Sequence, residues 1–526
     1  STSFYTESSF REWFGSGKPG WVIKYYKGLG TSTSKEAKEY FRNISKLTVK
    51  FDLDEEAKSS IILAFDKTKA DERKRWLVES SVTEDSGIAY GSVSKIKISE
   101  FIHKDLVNFS LADLKRSVAH MCDGLKPSQR KVLHACFKKN LNQEMKVAQL
   151  AAYVAEKTAY HHGEVSLAET IVKMAQNFMG SNNINFLEPA GQFGTRLMGG
   201  KDASQTRYIF TRLDPRARKL FHSDDDEVLR YLTDDGKQIE PEYFVPVVPT
   251  VLVNGTEGIG TGFSCYVPPY KLEDIIENIQ LEIAGQPLKK MTPWFQGFKG
   301  KIVQEDEHCW IMNGAYTEKD GKVCITELPP GRWTEDYKEH LEELVEKKII
   351  SPYQNNCTDD SVGFEFEYFG KDLVKDLKLQ KTIRTSNMHL FHPVEGIKKY
   401  NSPEEIIKDF VKIRLEYYAL RKEHLLQKMK DTLVLVTNKA RFIQMVADGD
   451  LIVFKRVKDR IESDLVSKKF DAISGSFDYL FDIKTHQYTS DSIEKFKKEL
   501  VKLENEYTTL EKMSVVDIWK TNLSIQ

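Results

Sequence analysis

Long apolar runs are missing from the 526 residues. No run of about 18 apolar residues occurs, so no segment reads as a bilayer-spanning helix. An excess of one charge is missing too: 77 Lys+Arg against 78 Asp+Glu leave a net charge of −1. That excludes a uniformly basic protein that coats nucleic acid by bulk charge, but not a local basic face. Cysteine is scarce. The six residues, Cys122, Cys136, Cys265, Cys309, Cys324 and Cys357, include no Cys-x-x-Cys pair, and no His pair completes a zinc pattern. They read as reduced, buried thiols of a cytosolic or nuclear protein. The first residues, STSFYTESSF, carry no apolar signal core and no initiator Met, so the chain reads as a cut piece of something longer. Internal repeats and low-complexity segments are absent. What remains is an ordinary globular composition, 40% hydrophobic and 29% charged. Its length allows roughly three or four domains at about 100–200 residues each.

The first 110 residues read as mixed α/β. Residues 24–41, KYYKGLGTSTSKEAKEYF, predict a Gly-x-Gly turn and a helix capped by Thr31 or Ser32. Residues 109–180 read as helical. In KPSQRKVLHACFKK, Pro127 opens a helix and Val132, Leu133, Cys136 and Phe137 share a face. A second helix runs through 147–157 and a third begins near Ser166. With strands near 185–195 and 207–212, this predicts a winged helix-turn-helix unit. From 240 the chain becomes apolar and extended. Strands are expected at GKIVQ, HCWIMNGAYT, KVCITELP and VGFEFEY, and a helix at 334–348. Ser402-Pro403-Glu404-Glu405 is a capping box that opens a helix over 403–430. Its apolar positions are Ile406, Ile407, Phe410, Ile413, Leu415, Tyr417, Leu420 and Leu425. Ile493, Phe496, Leu500, Leu503, Tyr507 and Leu510 form a heptad seam. The two helices are expected to pair antiparallel, with 433–485 as a small helical head.

Three places could carry chemistry. Between Gly124 and Lys157 stand seven cations, Lys126, Arg130, Lys131, Lys138, Lys139, Lys146 and Lys157, against two acids. Phosphate binding by a helix-turn-helix and a solvated helix face both account for this. Tyr160-His161-His162-Gly163-Glu164 offers acid–base or phosphate-binding groups, or simply a polar turn before a helix. GQFGTRLMGGKDASQTRYIF (191–210) is Gly-rich and contains Arg196, Lys201, Arg207 and Tyr208, so it could cradle a phosphate. A tyrosine with a pKa near 10 is about one part in a thousand phenolate at neutral pH. As a nucleophile it needs cations or a base beside it. Arg207 is adjacent, although strand neighbours point to opposite faces.

Taken together, KYYKGLGTSTSKEAKEYF, DGLKPSQRKVL, KVAQLAAYVAE, YHHGEVSL, GQFGTRLMGGKDASQTRYIFT and NGTEGIGTGFS resemble eukaryotic-type DNA topoisomerase II, a type IIA topoisomerase. The motifs stand in family order, and the resemblance runs to SVVDIWKTNL (514–523). It implies that Tyr208 attacks a DNA phosphodiester and becomes a 5′-phosphotyrosyl link. Arg207 would stabilise the transition state, and Arg116, Lys126 and His162 would complete the active site. Arg73, Lys74, Lys126, Arg130, Lys146, Tyr160, His161 and Ser166 would contact DNA. Ile259 would wedge between base pairs and bend the duplex, with Gly258 and Gly260 on either side letting the backbone approach DNA closely.

The same resemblance implies an α+β multidomain chain in four parts. These are a TOPRIM remnant (1–108), a winged-helix domain with the tyrosine (109–246), an α/β tower (247–395) and an antiparallel coiled-coil arm with a dimerising head (396–526). The activity implied is ATP-dependent cleavage of one duplex by a homodimer, passage of a second through it and religation. The partners implied are double-stranded DNA and a second copy, with no membrane; the location is the nucleus, or host nucleus, cytoplasm or virion if the protein is viral. Mg²⁺ would be held by TOPRIM acids expected before KGLGTS, and ATP by a domain further upstream. No metal ligand or nucleotide loop is assigned within these residues, so the piece alone is expected not to cleave. Asp52-Leu53-Asp54 follows the motif and reads as a surface turn. The competing class is a non-catalytic DNA clamp, which has no need of the Arg207-Tyr208 pair.

Overall fold

The structure is a computed structural model that describes residues 2–4, 7–15, 17, 20–24, 26, 32–80, 88, 90, 93–234, 236–484, 487–488 and 490–524. The Gly28-x-Gly30 turn and Thr31 lie outside the described residues. The chain forms two compact units. The first takes residues 1–212, 250–271 and 291–405, and the second takes 213–249, 272–290 and 406–526.

In the first unit, helix Ser34–Arg42 is capped by Thr33, not by Thr31 or Ser32. Thr33 Oγ1 accepts from the Glu36 amide and Glu36 accepts from the Thr33 amide, a reciprocal capping box. A short parallel pair joins Lys50–Asp52 to Lys95–Lys97. Three helices then pack together: Pro127–Lys139, Val147–Thr158 and Glu164–Ala175. Pro127 stands at the first helical position, and Val132, Leu133, Cys136 and Phe137 are buried as their spacing predicts. The third helix begins at Glu164, two residues ahead of Ser166. Met145–Lys146, Phe210–Leu213 and Leu187–Ala190 form a three-stranded sheet beside them, in that order.

The segment expected to be extended after 240 contains a helix, Thr250–Asn254, whose Val251, Leu252 and Val253 are buried. The hairpin Thr256–Gly260/Phe263–Val267 follows. HCWIMNGAYT is two strands rather than one. Cys309–Asn313 joins a sheet with Lys301–Asp306 and Gln380–Arg384, and Ala315–Lys319 joins another with Lys322–Glu327 and Phe364–Glu367. Gly314 stands at the break, where a Cβ would lie 2.5 Å from the Glu327 carbonyl oxygen. Phe364 and Phe366 are buried on alternate positions, packed with Tyr337 and Leu341 of helix Thr334–Glu346.

His120 of the first unit is buried. Its Nδ1 accepts the Cys122 amide, which requires that nitrogen to be unprotonated. Burial pushes its pKa down to about 3. A His whose folded pKa is depressed contributes stability above its unfolded value near 6.5, and loses it as pH falls toward 3. Wild-type stability is therefore expected to drop by up to about 4 kcal/mol more across that window than a His120→Gln variant's, followed by denaturant titration at stepped pH. Equal pH slopes for the two proteins would remove His120 as the cause.

In the second unit, the helix opened by Pro403 does not stop near 430 but runs to Ala447. The antiparallel partner is Ser490–Lys512. Lys422 Nζ donates to the carbonyls of Glu511 (2.9 Å) and Met513 (2.8 Å) at one end. Ile493 and Phe496 pack at the other against the core that includes Phe442 and Ile443. The six heptad residues are half-buried and their neighbours are largely exposed, so one stripe is covered. Of the apolar positions picked out on the long helix, Ile406, Ile407, Phe410 and Tyr417 are buried and Ile413, Leu415 and Leu425 half-buried, but the buried stripe also takes in charged residues. Leu420 is exposed, whereas Arg414, Tyr418 and Arg421 are buried. The head has its own core of Leu451, Ile461, Leu465, Phe470, Phe477, Leu480 and Ile483.

Candidate nucleic-acid interface and active site

Tyr208 sits in a turn just ahead of strand Phe210–Leu213. The first-turn amides of helix Val147–Thr158 have no partners within their own helix. Val147 N–H donates to the Ile209 carbonyl (3.0 Å) and Ala148 N–H to the Thr206 carbonyl (3.1 Å). These two bonds bracket Tyr208, and Ile209 is buried beneath it. The tyrosine itself is 66% exposed. Because residues 206–208 turn rather than extend, the neighbours are not forced to opposite faces. The Arg207 guanidinium lies 5.0 Å from the centre of the Tyr208 ring.

The Gly-rich stretch before it is not a phosphate cradle. Its glycines are required by packing: a Cβ on Gly199 would lie 2.3 Å from the Trp333 ring, and one on Gly200 2.3 Å from Gln176. Thr195 holds Asp202 through both its amide and its hydroxyl. Arg196 is buried in an ion pair with Glu327. The loop is a packed support that delivers Arg207 and Tyr208, and of its other cations only Lys201 is exposed.

A second group surrounds hairpin Thr256–Gly260/Phe263–Val267. Helix Val107–Ser117, with Arg116 in its last turn, runs against this strand. A Cβ on Gly258 would lie 2.0 Å from the Ser117 carbonyl oxygen, and one on Gly260 2.9 Å from Leu114. Side chains alternate along a strand, so both glycines face the helix and Ile259 faces away, 81% exposed. The glycines admit the helix beneath rather than DNA above. Asp113 fixes the turn by accepting from the amide and hydroxyl of Thr261, both at 3.0 Å. Lys126 approaches the same strand at Gly258. Its pKa is lowered, chiefly by burial and further by Lys173, against the pull of Cys265 and Glu257.

Tyr160 and His162 stack edge to face at 5.4 Å. His161, His162 and Ser166 are exposed, the last in the first turn of helix Glu164–Ala175. Lys146 is exposed, with its ammonium 5.9 Å from the Phe210 ring. Lys74 pairs with Asp71 at 3.2 Å. Two expected DNA contacts have other work. Arg130 is buried, bound to both Asp123 oxygens and to the Leu125 carbonyl. Arg73 is buried and donates to the carbonyls of Leu63 and Asp66. Neither guanidinium is presented to a ligand, and both leave the contact set. Among the described residues, no hydrogen bond or ion pair joins Tyr208 to Arg116, Lys126 or His162. Asp113 escapes sequence reasoning because its partner is 148 residues away.

Magnesium takes oxygen ligands in number. Among the described residues, neither Asp52, Asp54 nor any residue of the 191–213 segment belongs to a group of three carboxylate, histidine or cysteine side chains close enough to share an ion. Asp54 instead accepts the Ser99 amide. These residues do not fit a magnesium site.

Two protein families match the chain: the C-terminal associated domain of TOPRIM over residues 1–114, and the A subunit of DNA gyrase/topoisomerase IV over residues 116–524. The chain is 40% identical to DNA topoisomerase 2 of Penicillium chrysogenum, over 99% of the chain and 36% of that protein. It is 46% identical to DNA topoisomerase 2 of Arabidopsis thaliana, over 89% of the chain and 33% of that protein. It thus spans about a third of the length of these relatives. Its structure is similar to the DNA-binding, cleavage and re-ligation domain of Plasmodium falciparum topoisomerase II, with a TM-score of 0.87 and 39% identity, covering 100% of this chain and 76% of that one. Nearly every residue of the chain falls within one of the two family matches, and it belongs to the type IIA topoisomerases, in the family of the DNA gyrase and topoisomerase IV A subunits.

Proposed function

We propose that this chain supplies the strand-cleaving tyrosine and the duplex-binding surface of a type IIA DNA topoisomerase. The observation that carries the reading is Tyr208, exposed on a rigidly held turn with the Arg207 guanidinium against its ring. The Tyr208 hydroxyl oxygen attacks a backbone phosphorus, the bond to the 3′ oxygen breaks, and that oxygen takes up a proton. A 5′-phosphotyrosyl ester remains, and attack by the 3′ hydroxyl reverses the step. Arg207 places positive charge where the phosphorus gains negative charge. Lys126, Arg116 and His162 are assigned to the neighbouring phosphates. Cleavage of both strands by a two-fold pair, passage of a second duplex and resealing would change supercoiling and decatenate DNA. In this reading the parts are a TOPRIM-associated segment, a winged helix, a tower and a coiled-coil arm whose head pairs with its mate. Mg²⁺ and ATP are not assigned to any of the described residues, and the nucleus is the proposed location. The clamp reading is less favoured, because binding alone has no use for an exposed, arginine-backed tyrosine.

Ile259 supplies a separate test. An isoleucine exposed beside two glycines bound to a helix is suited to enter the minor groove, unstack one step and kink the duplex, at a cost of a few kcal/mol. Ile259→Ala should reduce the bend of a bound, end-labelled duplex, read by energy transfer, with the thermal transition unchanged. An unchanged bend would reject the wedge.

A further inference from the structure

The sheet edge next to helix Thr334–Glu346 holds two cations that lack an anion. Lys381, in strand Gln380–Arg384, donates from Nζ to the Pro330 carbonyl at 3.0 Å, and a Cβ on Gly331 would lie 2.5 Å from that nitrogen. The ammonium is therefore pinned over Gly331, next to Arg332. Arg332 makes one long bond, from Nη2 to the Gln380 carbonyl at 3.5 Å. Its Nε is buried without a hydrogen-bond partner. Among the described residues neither side chain has an ion pair; Glu257 acts on Lys381 only at longer range. Burial lowers both pKa values, and Arg332 lowers that of Lys381 further.

Two like charges held together, Arg332 half-buried and Lys381 at the exposed strand position beside it, disfavour folding unless an anion neutralises them. We propose that Arg332 and Lys381 form a site for a backbone phosphate of duplex DNA, apart from the tyrosine, that positions the duplex. The inference rests on the DNA-cleaving function proposed above. A guanidinium fork and an ammonium together suit a phosphate's several acceptor oxygens. Location favours a DNA phosphate over a free one. Trp333, next to Arg332, is the residue on which Gly199 of the Tyr208 loop rests. On the other side, Lys381 senses Glu257, two residues from Ile259. The pair thus neighbours the loop that delivers Tyr208.

Fluorescence anisotropy with a duplex of several helical turns, titrated with salt, tests this. The Arg332→Gln/Lys381→Gln variant should bind roughly tenfold more weakly near physiological salt, and its log affinity against log salt should flatten by about one unit, the share of one neutralised phosphate. Each single variant should show about half the change in slope, and Lys381→Arg should keep the parental slope. The thermal midpoint of the double variant should equal or exceed the parent's, since repulsion is removed; a structural pair would melt lower. An unchanged slope with parental DNA affinity overturns the site. So does stabilisation of the parent by millimolar inorganic phosphate that vanishes in the double variant while DNA binding stays parental, which would mark a free-phosphate site. If the parent binds no duplex, the proposed function falls and this site falls with it. If the parent binds and the double variant binds alike, only this site falls.

Discussion

Tyr208→Phe in the full-length protein is expected to abolish covalent capture of DNA and to lower relaxation of supercoiled plasmid by at least about a thousandfold, with duplex affinity unchanged. The substitution removes one oxygen from a side chain that is 66% exposed. It touches neither the bonds from Val147 and Ala148 that hold the turn nor the buried Ile209 beneath it. Folding and binding therefore have no reason to change. Arg207→Gln should lose activity by a factor of roughly a hundred to a thousand, the scale for removing one preorganised group from a developing oxyanion. Denaturation of the reaction mixture followed by recovery of protein-linked DNA separates the cases. Adducts that persist in Tyr208→Phe would move the nucleophile elsewhere. Loss of adducts together with loss of affinity would make the tyrosine a binding residue and favour the clamp.

Local pattern was legible and long-range partnership was not. Val132, Leu133, Cys136 and Phe137 announce their buried face because helix periodicity is written within a single turn or two. Phe364 and Phe366 do so because a strand alternates. The heptad from Ile493 to Leu510 likewise names its own stripe. The long helix is legible at Ile406, Ile407, Phe410 and Tyr417 but misleads where its buried stripe includes Arg414 and Arg421, which an apolar count assigns to solvent. Their neutralising acids lie nearly two hundred residues away, where no spacing rule reaches. Arg130 and Arg73 fail in the opposite direction. Arg130 looks like a phosphate ligand in a basic stretch and Arg73 is assigned to DNA by the resemblance, yet each is consumed, by a local carboxylate or by the carbonyls at a helix end. Gly258 and Gly260 look like openings toward DNA, although the atoms they make room for belong to a helix of the same chain. Tyr208 itself is reached through the resemblance of its motif. One tyrosine among 22 carries no spacing signal of its own.

Asp225→Asn is expected to destabilise the second unit by about 3–5 kcal/mol, the cost of stranding a buried charge. Arg414 is completely buried on helix Pro403–Ala447. Its Nη2 donates to Asp225 at 2.8 Å and its Nη1 to the Val245 carbonyl at 2.9 Å, while the guanidinium stacks 3.9 Å from the centre of the Tyr418 ring. Burial opposes the charge, but Asp225 and Tyr418 more than offset it, so its pKa is raised. Without the carboxylate that compensation is mostly lost, and Arg414 must stay charged in a dry site. The effect should spread, because three separate segments meet there. Tyr418 bonds Asn522, and Trp519 is fully buried with its indole N–H on the Val247 carbonyl at 2.9 Å. Hydrogen exchange read on peptides from 406–421 and 515–523 should rise together in Asp225→Asn, with peptides from 127–175 unchanged. The pair Asp225→Leu/Arg414→Met should recover most of the loss, since removing both charges also removes both desolvation costs. If the single variant exchanges like the parent, the ion pair is not what ties the long helix to residues 213–249. If the double variant is as unstable as the single, the loss comes from packing and not from a stranded charge.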